Sequence, residues 1–354
     1  MKSFDLIRFF SYICTMKKIV GLLICLWVVV LTGAQEPVCD ATYKEIRYAE
    51  DVFNFTNQVR FVRVGDGHIN RFLAFLPIPV SNEYQEVSHL SVSEGDVYQE
   101  GNYDNEVLYV ERKRFPDEGY TLTSTFDVRP VLVKVDVSKI KVFRDYNPES
   151  IPCKRHLGDR GKFVMTRHPY IVQTADSLWA QSSNVLDYAR RCYEYVASHF
   201  RYVKGNWRTL EQILKEGGGE CGDFSTVMVN LLRYKGIPSR HNVCLRLAGG
   251  LHVWVDFYME GYGWIPLDVQ MKNADPRNDY FGVYDGTCIV MMQDICYDMG
   301  DKTRGFSLNQ LQTYYFKYWY DRGSCNIVHS HEPHLNGCSK VVDEPITTHV
   351  TIVK

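Results

Sequence analysis

The distribution of apolar and polar positions divides the chain into stretches of different period. From about Tyr43 to Ile140 the apolar residues come in short alternating runs, among them Val59 to Val64, Arg71 to Leu76, Val107 to Glu111, Thr121 to Val128 and Val131 to Val137. Turn-forming residues separate these runs, and a series of strands without helical periodicity predicts an all-β unit, most simply a sandwich. Asn147 to Tyr170, with Pro148, Pro152, Gly158, Gly161 and Pro169, reads as a linker or long loop. From Asp176 the period changes: Leu178, Val185, Leu186, Ala189, Cys192, Tyr193 and Val196 recur at helical spacing through to Phe200. A second helix is expected over Leu210 to Lys215, broken by Gly217, Gly218 and Gly219. The expected organisation is therefore a β-rich domain over 35–146, a linker over 147–175, an α+β domain over 176–320 and a polar tail over 321–354.

The first residues add a compartment. Lys17 and Lys18 precede an apolar run from Ile19 to Leu31 that ends in Thr32, Gly33 and Ala34, the pattern of a secretory signal peptide over 1–34. The run is shorter than the ~20 residues a membrane-spanning helix needs, so a secreted or periplasmic product without a membrane span is expected. Cleavage after Ala34 would remove four Lys/Arg and one Asp, shifting the formal net charge from −2 to −5. With no basic stripe interleaved with aromatics, a nucleic-acid partner is excluded.

Of the eleven cysteines, Cys14 and Cys25 lie in the signal and nine remain. An odd number in an oxidising compartment favours one thiol kept for chemistry. Cys325 with Cys338 is the one local disulfide the spacing suggests, tying down the tail. No cysteine has Cys-x-x-Cys zinc spacing, and no cofactor or metal is expected. His329, His331 and His334 with Glu332 alternate as strand ligands could, yet they fit no standard site and read as a solvated loop. The aromatic run Tyr314 to Tyr320 reads as the packing face of a helix.

The chemistry concentrates directly after the three glycines. Cys221 opens a run in which Phe224, Val227, Met228, Leu231 and Leu232 form one apolar stripe, Asp223 suits the first turn, Arg233 and Lys235 the last, and Gly236 with Pro238 the stop. A cysteine at a helix N-terminus meets unpaired N–H groups and a favourable dipole, which lower a thiol pKa from ~8.5. The preceding glycines let backbone approach whatever the sulfur attacks, and the Cys221 N–H can serve a developing oxyanion. Two strands follow, Leu251 to Tyr258 and Trp264 to Asp268, joined as a hairpin. With the turn centred on Glu260, His252 lies directly opposite Asp268, and a slip of one residue would separate them. A carboxylate that fixes an imidazole whose other nitrogen faces a thiol is the arrangement of a cysteine nucleophile. Trp207 and Gln212 are candidates for a second oxyanion donor, although packing for Trp207 and an exposed helix face for Gln212 are the commoner uses.

Gly219-Glu220-Cys221 opening a helix, Leu232-Arg233-x-x-Gly236-Ile237-Pro238-Ser239-Arg240, His252-Val253-Trp254 and Gly263-Trp264-Ile265-Pro266-Leu267-Asp268 resemble the transglutaminase-like superfamily. The resemblance covers roughly residues 176 to 310, and Tyr280-Phe281-Gly282 extends it. Leu76-Pro77-Ile78-Pro79 and Tyr84-Gln85-Glu86-Val87 are similar to the β-rich domain that precedes this core in secreted bacterial members. Ser239 and Asp256 depart from the family's usual alanine and glutamate. The resemblance implies a papain-like α+β core with a catalytic Cys221, His252 and Asp268. It also implies acyl transfer or amide hydrolysis through a Cys221 thioester, on a protein or peptide, with water or an amine as acceptor. The rival expectations are a non-catalytic binding protein that keeps the fold and a peptide N-glycanase-like amidase.

Overall fold

In chain order the strands are β1 (Lys44–Tyr48), β2 (Asp51–Val64), β3 (Ile69–Ile78), β4 (Gln85–Val92), β5 (Asp96–Gln99), β6 (Glu106–Arg112) and β7 (Tyr120–Val135). Helices α1 (Ile151–His156), α2 (Pro169–Ala180) and α3 (Val185–His199) follow, then β8 (Arg201–Tyr202), α4 (Leu210–Glu216), β9 (Gly218–Gly219) and α5 (Cys221–Tyr234). The chain continues through β10 (Ser239–Arg246), β11 (Leu251–Met259), β12 (Gly263–Leu267), α6 (Val269–Ala274), β13 (Val283–Tyr284), β14 (Cys288–Gln293), β15 (Tyr315–Tyr320), β16 (Asn326–Lys340) and β17 (Thr347–His349). This computed structural model describes residues 42–340 and the backbone of 347–349. The signal-peptide segment and Cys39 lie outside the described residues.

Two sheets form the β-rich part, and their inner faces explain the alternation in the sequence. One runs β16-β2-β7-β1-β17, with β4 and β13 also paired to β7, and the other runs β15-β3-β6-β5. Val59, Phe61, Leu122 and Ile327 from the first meet Phe72, Leu76, Leu108 and Val110 from the second. Strand β3 is apolar on both faces because both are covered: Phe72, Ala74 and Leu76 point into the sandwich, while Leu73 and Phe75 pack with Val243, Val253 and Met292 of the third sheet. Each such fully buried side chain contributes roughly 1.5–3 kcal/mol.

The third sheet, β12-β11-β10-β14, carries α5 on its face. The packing makes α5 a central helix rather than a surface one, buried from Gly222 to Arg233. Mixed α and β structure around a helix-on-antiparallel-sheet core is the expected fold class.

Six expectations are corrected, the first being the linker or loop over 147–175, which holds α1 and the start of α2 at Pro169. Thr121–Val128 and Val131–Val137 are not two strands: β7 runs unbroken through Pro130. The helical period from Asp176 to Phe200 is split, because Asn184 caps a new helix after Gln181 ends α2. The aromatic run is a strand, with Phe316 opposite Ala74 on the free edge of β3. There period-2 alternation sends Phe316 and Tyr318 into the sandwich and Tyr315 and Trp319 to the other side. The polar tail supplies β16, which pairs along β2 from Asn326↔Val64 to Lys340↔Asp51. Cys325 and Cys338 therefore sit at opposite ends of one extended segment, roughly 40 Å apart at ~3.3 Å per residue, and cannot pair.

Candidate active site

Cys221 is the first residue of α5 and half-buried, following Glu220 at the cap. Asp223 organises this turn: its Oδ2 accepts from the Glu220 N–H at 2.9 Å and from Arg208 Nη1 at 3.0 Å, and its Oδ1 accepts from the Arg208 N–H at 3.0 Å. These bonds tie the loop before α4 to the start of α5 and set Trp207 over it. A Cβ on Gly219 would lie 2.2 Å from the Asp223 carboxylate, and one on Gly222 would lie 2.8 Å from the Trp207 ring. The glycines thus admit Asp223 and the indole, a role different from the substrate approach the sequence suggested. Trp207 packs in the same cluster as Cys221, and its Nε1 is buried without a hydrogen-bond partner. Gln212 is elsewhere engaged: its Oε1 accepts from the Thr209 N–H at 2.9 Å in the capping box of α4.

His252 enters from β11, 3% exposed. Its Nε2 lies 2.5 Å from Asp268 Oδ2, which leaves Nδ1 for a thiol, and the Cys221 sulfur is near enough to act electrostatically on the ring. The strand is held from behind, since the His252 carbonyl accepts from Gln312 Nε2 at 2.9 Å and from the Cys244 thiol at 3.2 Å. Ser225 Oγ of α5 donates to the Val253 carbonyl at 3.3 Å, joining helix to strand.

The hairpin register differs from the expected one in an instructive way. Val255 pairs with Leu267 and Asp256 with Pro266, so the turn is centred one residue later than Glu260. That moves the partner of each residue by two positions, which preserves side-chain parity; His252 meets Asp268 diagonally rather than directly. Asp268 has also left the strand to cap α6, where its Oδ1 accepts from the Met271 N–H at 2.9 Å. Its own N–H donates to the Tyr280 carbonyl, and Gly282 N–H to that of Pro266, so the Tyr280-Phe281-Gly282 segment fixes this end of β12.

Burial alone would strip the proton from His252, but the Asp268 charge and hydrogen bond, helped by the Cys221 sulfur, outweigh it and raise the imidazole to about 10. The ring is therefore an imidazolium at neutral pH, paired on one side with a carboxylate. Such a site can hold a thiolate, deliver a proton to a leaving group and take one back.

Two buried polar clusters near the site escaped the sequence. Asp294, fully buried, receives Arg233, His156 Nδ1 at 2.9 Å and His241 Nδ1 at 3.3 Å. Asp256 receives Arg240 at 3.0 Å and the Tyr84 hydroxyl at 2.6 Å, and Arg240 also reaches Glu83 at 3.1 Å. Beside it the Gln85 side chain spans the Val290 backbone, donating to its carbonyl at 2.9 Å and accepting from its N–H at 2.8 Å. The Tyr84-Gln85 motif thus clamps β4 to the sheet that carries His252. The only signal in the sequence was that these charged residues fall inside otherwise apolar runs. His329, His331 and His334, read from the sequence as a solvated loop, lie on strand β16, where His329 bonds Tyr314 at 2.5 Å and His331 bonds Asn57 at 2.6 Å.

Residues 172–269 match the family model described as transglutaminase-like superfamily, so the chain carries a transglutaminase-like core. An uncharacterized protein of Haemophilus influenzae is 29% identical over a match covering 20% of this chain and 27% of its own length. A crystal structure from Cytophaga hutchinsonii, provisionally described as a cysteine protease, superimposes with a TM-score of 0.56 at 12% identity, covering 85% of this chain and 93% of that one. The periplasmic domain of TgpA from Pseudomonas aeruginosa gives a TM-score of 0.34 at 13% identity, covering 65% of this chain and 90% of that domain. The Cytophaga hutchinsonii structure speaks to the fold alone.

Proposed function

We propose that this protein is a secreted or periplasmic thiol-dependent acyl-transfer enzyme, in which Cys221 attacks the carbonyl of an amide in a protein or peptide. His252 and Asp268 serve Cys221 as base and orienting carboxylate. The observation that carries this reading is the buried His252 with Asp268 Oδ2 2.5 Å from its Nε2, packed under the helix that Cys221 opens.

The Cys221 thiolate forms the S–C bond while the carbonyl oxygen takes up the displaced electron pair. The Cys221 N–H at the helix start and the unpartnered Trp207 Nε1 stabilise that oxyanion. On collapse the C–N bond breaks and His252 Nδ1 passes its proton to the departing amine, leaving a thioester. Water, or a second amine, then attacks as His252 removes its proton, and the thiolate leaves. Hydrolysis, giving protease or amidase action, is the preferred outcome.

Iodoacetamide labelling of the mature protein across pH, with Cys221→Ala and His252→Ala alongside, tests the reading. Fast labelling of Cys221 at neutral pH that slows without His252 is expected. Labelling only near the pKa of an ordinary thiol would contradict it.

A further inference from the structure

Beside His252 and Asp268 lies a cavity of about 270 Å³ that Cys221 does not line. It is suited to a part of the substrate flanking the reactive amide rather than to the carbonyl itself. Its polar walls are unequal in what they have left to offer. Asp268 is occupied by His252 and the Met271 N–H. Asp279 is clasped by Arg190 Nη1 at 2.7 and 2.9 Å, which lowers its pKa although burial opposes this. Asp285 Oδ1 accepts from the Thr287 N–H and hydroxyl at 3.1 and 2.7 Å.

The donors in the same wall are not spoken for. Arg246, half-buried at the end of β10, makes one weak contact, 3.7 Å to Met271 Sδ, and no ion pair among the described residues. Trp254, 3% exposed and two residues along β11 from His252, has a buried Nε1 with no hydrogen-bond partner. A guanidinium offers a planar fork that matches a carboxylate. Asp285 Oδ2 also takes no donor, but Arg246 is the one arginine of the wall and, among the described residues, has no carboxylate of the protein to hold.

We propose that this cavity is a specificity pocket for a carboxylate of the substrate, such as an acidic side chain or a chain-terminal carboxylate, held by Arg246. The inference rests on the enzyme reading for calling the occupant a substrate, but its test needs no turnover.

Binding of acetylated, amidated alanine pentapeptides with a central glutamate, glutamine or lysine to the Cys221→Ala protein can be followed by calorimetry. The glutamate peptide is expected to bind at least about tenfold more tightly than the glutamine peptide, equivalent to ~1.4 kcal/mol. Arg246→Gln is expected to erase that difference and Arg246→Lys to keep part of it. Equal binding of the three peptides, tighter binding of the lysine peptide, no binding of the glutamate peptide, or a preference that survives Arg246→Gln would each overturn the proposal. The comparison within the unsubstituted pocket stands whether or not an Arg246 variant folds. Lost preference with fast Cys221 labelling removes the pocket alone, whereas slow labelling with the preference intact removes the nucleophile alone.

Discussion

Two carboxylates in this molecule, Asp294 fully buried and Asp268 partly open, each hold histidine, with opposite results. Around Asp294, His156 and His241 share the carboxylate with Arg233. Burial dominates their protonation, drawing His156 down to about 4 and His241 also downward. Arg233 already supplies the positive charge, and it holds Asp294 well below the usual carboxylate range against burial. At Asp268 no guanidinium intervenes, and His252 is raised to about 10. The residue types are the same; what differs is that the fully buried Asp294 is divided among Arg233 and two histidines, whereas Asp268 gives its charge to His252. Asp294 is thereby a fixed structural node under α5, and Asp268 a partner for a histidine whose proton can move.

Exchanging the carboxylates for amides separates the two roles most sharply. Asp268→Asn is expected to reduce turnover, or Cys221 labelling if no substrate is yet known, by about 10³–10⁴-fold, because the amide no longer stabilises the imidazolium. Measured above about pH 10, where the His252 stabilisation is gone, its melting temperature should change little. Asp294→Asn should do the reverse, costing about 3–5 kcal/mol in denaturant unfolding by leaving Arg233 buried without its partner. Equal loss of stability in both variants would break the distinction.

A smaller effect is expected from Trp207→Phe, which keeps the ring over Gly222 and removes the unpartnered Nε1. Turnover should fall about 10²-fold with KM nearly unchanged, as for loss of one oxyanion donor. A fall in KM-linked binding instead would assign Trp207 to packing.

The pH dependence of stability runs in opposite directions at the two sites. His156 stays neutral when folded down to about pH 4, whereas an unfolded histidine takes up its proton near 6.5. The unfolded state therefore binds more protons between those values, and stability should fall on the order of 2–3 kcal/mol as pH drops through that window. His156→Gln should flatten the slope. For His252 the folded value is the higher one, so its stabilisation is complete below about 6.5 and is lost as pH rises through about 10. Urea titrations of wild type and His252→Gln across that range should converge at the alkaline end.

Much of this site was legible because its parts lie in one contiguous stretch whose local rules agree. The apolar stripe and the Gly236 stop placed α5, and strand parity brought His252 and Asp268 together even though the turn was centred one residue away. Parity survives a shift of two, which is why an inexact register still found the contact. The Asp294 and Asp256 clusters were not legible, since their members come from segments as far apart as Tyr84, His156 and Asp294. Strand β16 was hidden for another reason. Its side chains are almost all exposed, so it joins β2 through backbone pairing and leaves no hydrophobic period to read.

The central claim is that His252 carries a proton at neutral pH because Asp268 holds it and Cys221 shares it. Nitrogen-15 NMR of histidine-labelled protein across pH, with His252 assigned by substitution, measures this directly. The account predicts an imidazolium signal for His252 that persists well above 6.5 towards about 10, and neutral rings for His156 and His241 throughout the neutral range. A His252 ring that titrates near 6.5 like an ordinary imidazole would contradict it.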